Sequence, residues 1–375
     1  MPMPVYLDYN ASAPMRPEAV AAVLEASALV GNPSSVHRFG RLARRALEDA
    51  REQVAAMVGA RPERVLFTSG GTEANNLAIL GAGRPRFIAS ALEHDSVLRV
   101  RQAELLPVGS DGVVDLAALA ASLASDPRPA LVALMLANNE TGVIQPVADA
   151  ARIAHQHGAL LLCDAVQAAG RIPIDIASLG ADFLSLSAHK LGGPKGVGAL
   201  VLGSDLPFAP GQLGGGQERG RRAGTENLAG IAGFGAVAAL APDSLADQPR
   251  LAALRDRLEA DLLRLAREAV IAGRNAPRLA NTSAIALPGI PAERQVIQLD
   301  LVGVAVSAGA ACSSGKVRAS QVLAAMGFAP AIAGSAIRVS LGWQSTAGDV
   351  ERFVEAWGAL ALRRQSSDLS AEPAA

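Results

Sequence analysis

Phe183-Leu184-Ser185-Leu186-Ser187-Ala188-His189-Lys190 is the stretch that decides how this chain is to be read. Phe183 to Ser187 alternates apolar and hydroxyl side chains. Leu191-Gly192-Gly193-Pro194 follows, so Lys190 stands where a buried strand stops and a loop begins. For a lone His-Lys pair, the simplest reading is a surface lysine just past a strand. The sharper reading is a Schiff-base lysine, an amine whose surroundings lower its pKa enough to condense with an aldehyde cofactor. The rest of the chain decides between them.

Working outward, short β-prone runs alternate with helical segments: Val65 to Thr68, Phe87 to Ser90, Leu131 to Leu136, Leu160 to Asp164, Phe183 to Ser187 and Gly198 to Leu202. Continuous apolar strands separated by helices predict an α/β fold with a mainly parallel sheet covered on both faces, which binds its ligands at the carboxyl ends of its strands. Before them, Phe39 to Val58 repeats apolar residues at helical spacing. After them comes a glycine-rich loop containing Gly214-Gly215-Gly216 and Arg219 to Gly224. Pro242 to Pro249 reads as a boundary. Beyond it, Leu251, Leu254, Leu258, Leu262 and Leu265 mark an amphipathic helix, with strands expected at Ser283 to Leu287, Val304 to Ser307 and Ile337 to Leu341. The expected organisation is a large domain over 15–242, a smaller α+β domain formed by 1–14 and 243–364, and a disordered tail over 365–375.

Composition narrows the function. The chain has 375 residues, half of them hydrophobic, and a formal charge of −1, so a large core is available and no electrostatic footprint for nucleic acid is present. Met1-Pro2-Met3-Pro4-Val5-Tyr6 lacks a basic region and an apolar run, and no uninterrupted apolar span reaches membrane length. A cytoplasmic protein without a membrane partner is expected. Cys163 and Cys312 are too few and too far apart for a zinc cluster or a disulfide framework, and His155-Gln156-His157 suits a solvated helix end, so no metal is expected.

The residues just after the strands carry the chemistry. Phe67-Thr68 leads into Ser69-Gly70-Gly71-Thr72-Glu73, with a helical segment from Ala74: either an anion cradle suited to phosphate or a tight turn with Thr72 as N-cap. No Walker pattern or dinucleotide fingerprint competes with it. Leu160 to Cys163 ends in Asp164, with Gln167 three residues on. A carboxylate there is costly to desolvate unless a cation such as a protonated pyridine nitrogen meets it, although capping of the next helix is the common alternative. Leu136 leads to Asn138-Asn139-Glu140-Thr141-Gly142, and Ser90 leads to Glu93-His94. Each has a turn or cap explanation; together they are harder to dismiss.

In order along the chain, Tyr6-Leu7-Asp8-Tyr9, Gly31-Asn32-Pro33-Ser34-Ser35, Thr68-Ser69-Gly70-Gly71-Thr72-Glu73, Glu93-His94, Asn138-Asn139-Glu140-Thr141-Gly142, Asp164-Ala165-Val166-Gln167, Ser187-Ala188-His189-Lys190, Arg222-Ala223-Gly224-Thr225 and Ala310-Ala311-Cys312-Ser313-Ser314 resemble the pyridoxal-phosphate-dependent cysteine desulfurases over roughly residues 5 to 345. The segment around Cys312 is most similar to the branch that supplies sulfur for iron–sulfur clusters and tRNA thiolation. The resemblance implies fold type I of the pyridoxal-phosphate enzymes, a homodimer, L-cysteine as substrate and a sulfur-acceptor protein as partner, either an iron–sulfur scaffold or a thiolation enzyme. It implies that Lys190 carries pyridoxal 5'-phosphate as a Schiff base, that Asp164 keeps the ring nitrogen protonated, that His94 stacks on the ring and that Gln167 faces the phenolic oxygen. Gly71, Thr72, Ser187 and His189 would hold the phosphate, with Thr225 arriving from a second subunit. Asn139 and Arg338 would receive the substrate carboxylate.

Cys312 is implied as the sulfur carrier. Its small, hydroxylated, glycine-flanked surroundings read as a mobile loop, which suits a thiol that must reach the substrate and then an acceptor. Cys163, inside an apolar strand, reads as a core residue. Two departures from the family are small: Ala188 stands where many relatives have Gly, and Gly71 where Ala is common, and both should be tolerated beside a phosphate. Arg219, Arg221 and Arg222 could bind an acidic partner, but a solvated loop or a dimer contact suits them as well. The nearest alternative activities are a selenocysteine lyase or another class V aminotransferase, the latter having no use for Cys312.

Overall fold

The computed structural model describes residues 4–309 and 319–371, with side chains as far as Leu362. Seven strands form the main sheet, in the spatial order Val65–Thr68, Gly198–Leu202, Phe183–Ser187, Leu160–Asp164, Ala130–Met135, Arg86–Ser90, Glu104–Leu106. Gly198–Leu202 runs antiparallel to both its neighbours, and the other adjacent pairs are parallel. Val65–Thr68 therefore points the same way as the parallel strands. The strands that end in Thr68, Ser90, Met135, Asp164 and Ser187 accordingly deliver their following loops to one edge of the sheet.

Burial on both faces follows from the side-chain period of two. Val132, Leu134 and Leu161 enter one core with Leu47 and Val54 of the helix Arg38–Met57 and Phe234 of the helix Leu228–Ala239. Leu131, Ala133 and Leu162 enter the opposite core with Leu77 and Ile79 of the helix Gly71–Gly81.

A second, antiparallel sheet has the order Ser307–Ala308, Ala336–Ser340, Thr282–Ala286, Val270–Ala272. Its core contains Leu258, Ile337, Phe353 and Trp357, together with Val5 and Leu7 from the other end of the chain. The N-terminal arm reaches this core because Val5–Tyr6 pairs in parallel with Val304–Ala305. Beyond the pairing, Asp8 bridges to Ser340 and the arm passes on to the main sheet's edge.

The structure departs from expectation in four places. Val304 to Ser307 is not one strand: Val304–Ala305 takes the arm and Ser307–Ala308 joins the antiparallel sheet. The helix expected from Ala74 begins at Gly71, with Gly70 rather than Thr72 at the cap position. The boundary at Pro242 to Pro249 is a helical joint, Ala241–Ala246 followed by Gln248–Leu265, each helix carrying a proline in its first turn where no N–H is required. The helix Ala347–Ala371, anchored by Val350, Phe353 and Trp357, continues into the tail expected to be disordered. Among the described residues no single helix is long and apolar enough to cross a membrane, and no group of three or more potential metal ligands occurs.

Candidate active site

The shared edge of the main sheet opens into a cavity. Its walls include Gly71, Thr72, His94, Asn139, Asp164, Gln167, Ser187, His189, Lys190 and Arg338. Residues scattered over two-thirds of the chain are thus brought together. Two sequence candidates are not among them. Thr225 does not line this cavity, and Cys312 lies outside the described residues.

Lys190 ends a single helical turn, Ala188–Lys190, that begins directly after the strand Phe183–Ser187. Its Nζ donates to the carbonyls of Asn10 and Ala11, at 2.6 and 2.9 Å. The amine is therefore held by the N-terminal arm. Asp164 closes the neighbouring strand; its Oδ2 accepts from Asn75 Nδ2 at 2.8 Å and its Oδ1 from the Val166 N–H at 3.0 Å. Both donors are neutral, so neither offsets the charge that a buried carboxylate here would present to a cation in the cavity. His94 Nδ1 accepts from the Ser96 N–H at 3.0 Å, which puts the proton of the neutral ring on Nε2. Behind it, Glu93 is buried; Oε1 accepts from the Met135 N–H at 2.7 Å and Oε2 has no hydrogen-bond partner among the described residues. Burial, and then Asp164, push this carboxyl up to about 8.

The first turn of the helix Gly71–Gly81 is suited to an anion, since the N–H groups of a helix start and the helix dipole favour negative charge. A Cβ on Gly71 would stand 2.8 Å from Val166 Cγ2, so the absence of a side chain is what lets this turn lie against the segment after Asp164. The expected tolerance for alanine at this position therefore requires Val166 to move. Beside the turn, His189 is pulled down to about 4, by burial first and by Lys190 and Lys195 next, and stays neutral at pH 7. A neutral imidazole can donate to a phosphate without adding charge.

Arg338 stands on the opposite wall, on a strand of the second sheet. Nη2 pairs with Asp8 Oδ1 at 2.7 Å, Nη1 donates to the Asn139 carbonyl at 3.2 Å, and buried Nε has no hydrogen-bond partner among the described residues. The guanidinium is positioned from two sides with donor capacity left over.

Sequence reasoning missed Asn10, which is buried and connects most of these groups. Its carbonyl accepts from Lys190 Nζ and from Gln167 Nε2, its Nδ2 donates to Thr282 Oγ1 and the Asn139 carbonyl, and its N–H donates to Ser340 Oγ. The only signal was its place directly after Asp8-Tyr9. Asn75 was missed as well, though it follows Thr72 by three residues, the helical spacing that puts two side chains on one face.

A cavity at the carboxyl edge of a mainly parallel sheet, with a lysine and an acid on adjacent strands, defines a pyridoxal-phosphate-type site of fold type I. The family model for aminotransferase class-V matches residues 5–353, and the chain belongs to that family, whose members use pyridoxal 5'-phosphate. It is 45% identical to a cysteine desulfurase of Cereibacter sphaeroides, over 94% of each chain, and 38% identical to an IscS-like cysteine desulfurase of Mycobacterium tuberculosis, over 96% of this chain and 98% of that one. Among solved structures, a NifS-like protein from Rickettsia africae superposes with a TM-score of 0.88 at 36% identity, covering 95% of this chain and 99% of that one.

Proposed function

We propose that this chain is a cysteine desulfurase that converts L-cysteine to L-alanine and takes up the released sulfur as a persulfide on Cys312. The observation that carries this reading is the placement of Lys190 and Asp164 at the ends of neighbouring strands in a cavity that also contains Arg338. The walls fit pyridoxal 5'-phosphate. Asp164 offers a buried carboxylate to a protonated ring nitrogen, and Gly71, Thr72, Ser187 and neutral His189 suit the phosphate. When bound, the cofactor supplies an electron sink for carbanionic charge at the substrate Cα.

The chain's own groups do the rest. Asn139 and the spare donor capacity of Arg338 receive the α-carboxylate and fix the register of the amino acid. Lys190 holds and moves the proton at Cα. The thiolate of Cys312 attacks the substrate sulfur: an S–S bond forms as Cβ–S breaks, and Cβ gains a proton to give alanine. An acceptor protein for iron–sulfur assembly or tRNA thiolation would then take the sulfur. We place the boundaries of the cofactor domain at 15–242 and those of the small domain at 1–14 with 243–364. The working unit is proposed to be a cytoplasmic homodimer in which Thr225 serves the second subunit's phosphate site. Val30, Val36 and Leu213, at least 80% exposed each, supply apolar surface for such a contact.

The test uses purified, cofactor-loaded protein given L-cysteine and dithiothreitol, with alanine and sulfide assayed together. Equal release of both products is expected, with loss of both in Cys312→Ala and loss of the visible cofactor band in Lys190→Ala. Full alanine release by Cys312→Ala would refute the nucleophile. Transamination of an added oxo acid in place of sulfide release would refute the reaction.

A further inference from the structure

Arg171 lies four residues past Gln167 in the turn that follows Asp164, behind the cavity wall. Its Nη1 donates to Gln167 Oε1 at 2.6 Å, to Asn10 Oδ1 at 2.8 Å and to the Gln167 carbonyl at 3.2 Å. A guanidinium carries donors only, so each side-chain amide that meets it must present oxygen. For Gln167 this turns the NH2 group toward the Asn10 carbonyl, 3.0 Å away. For Asn10 it leaves Nδ2 to Thr282 Oγ1 and the Asn139 carbonyl, while Asn281 Nδ2 shares Asn10 Oδ1.

The Asn10 carbonyl favours the same Gln167 orientation, so the amide is defined from both ends. One hydrogen of Gln167 Nε2 goes to Asn10, and the other remains for a group in the cavity. What Arg171 alone adds is positive charge behind a donor. Burial, with Arg338 next, lowers Arg171 only to about 9, which leaves it charged at pH 7.

We propose that Arg171 is a positioning residue: through Gln167 it makes one wall of the cavity a fixed hydrogen-bond donor, backed by a cation, for an anionic oxygen on the ring of bound pyridoxal phosphate. The inference rests on the assignment of the cavity to that cofactor. It distinguishes this wall from the one formed by Asp164, where the electrostatics favour a cation. Among the described residues, the other charged and titratable groups around the cavity are Lys190, Arg338, Asp164, His94 and His189, with Glu93 behind them.

The readout is the pH at which the visible band of the cofactor-loaded protein, without substrate, changes between its forms. A cation and a donor at the ring oxygen favour the deprotonated form, so Arg171→Met should raise this midpoint by about one unit, while Arg171→Lys, which keeps the charge, should stay within about 0.3 unit of the parent. Arg171→Gln, neutral but polar, should shift as the methionine variant does and serves in its place if that variant does not fold. An unchanged midpoint in the neutral variants would overturn the proposal, as would an equal shift in the lysine variant, which would mean that packing alone is at work. Absence of a visible band in the parent protein would count instead against the cofactor assignment.

Discussion

Glu93 precedes His94, yet its carboxyl reaches the Met135 N–H on the neighbouring strand and does not line the cavity. Its second oxygen has no hydrogen-bond partner among the described residues, and its pKa is raised from 4.5 to about 8. The fold therefore favours the neutral acid. A carboxyl whose folded pKa exceeds its unfolded one contributes stability that is complete below the unfolded value and is lost as pH rises toward the folded value. For Glu93 that window runs from 4.5 to about 8. Glu93→Gln keeps an acceptor for Met135 and removes the ionisation. The stability advantage of the variant over the parent should accordingly grow between pH 5 and pH 8, by a few kcal/mol at most, since one pKa unit corresponds to about 1.4 kcal/mol. Thermal unfolding at the two pH values measures it, and a difference that stays flat would mean that Glu93 is already ionised at pH 5. Nothing in the sequence distinguishes this glutamate from an exposed one, because its burial depends on a strand forty residues away.

The helix Gly71–Gly81 adjoins the glycine-rich loop after the main sheet through Glu73 and Arg222. Gly71 packs against Val166, and alanine there would push its Cβ to 2.8 Å from Val166 Cγ2. Gly71→Ala should weaken cofactor binding, by roughly tenfold if about 1.4 kcal/mol of strain is taken up, and Val166→Ala in the same protein should restore it. Titration of the visible band with cofactor separates the two outcomes. The adjoining loop is pinned by two ion pairs. Arg222 meets Glu73 of the same helix at 2.8 Å, and buried Glu218 meets buried Arg51 at 2.7 and 3.0 Å. Glu218 and Arg219 both adopt left-handed conformations, at φ 46° and 58°, which side chains other than glycine tolerate poorly unless their contacts hold them. Two of the three loop arginines thus have partners within the chain: Arg222 in Glu73 and Arg219 in the Glu63 carbonyl. Glu218→Ala would leave buried Arg51 with Glu48, at 3.1 Å, as its remaining carboxylate and should cost about 1–3 kcal/mol of stability in a denaturant titration. Replacing both partners by apolar residues, Arg51→Met with Glu218→Leu, should cost less. Equal losses would show that the pair matters for its packing rather than its charge.

Over the whole molecule, the main sheet was legible because most of its buried strands are apolar-rich runs ending in a distinctive polar turn. Glu104–Leu106 and Val270–Ala272 were not, being three residues each. The cavity was legible wherever a polar residue directly follows a strand, as with Asp164 and Lys190. Asn10 and Arg171 escaped notice because their importance lies in hydrogen bonds that exist only after the N-terminal arm has crossed between the two sheets. Thr225 poses the corresponding question between chains, since it lies outside its own chain's cavity. If it completes the partner's phosphate site, Thr225→Ala loses a charge-assisted hydrogen bond of about 1.5–3 kcal/mol and weakens cofactor binding roughly ten- to a hundredfold. Dimers made of one Lys190→Ala and one Thr225→Ala protomer, isolated by two different affinity tags, then discriminate the arrangements. With Thr225 acting across the interface, both lesions fall in one site and the other site is intact, so activity at limiting cofactor should be about half that of the parent dimer. With Thr225 acting in its own chain, each site carries one lesion, and the mixed dimer should be no more active than Thr225→Ala alone.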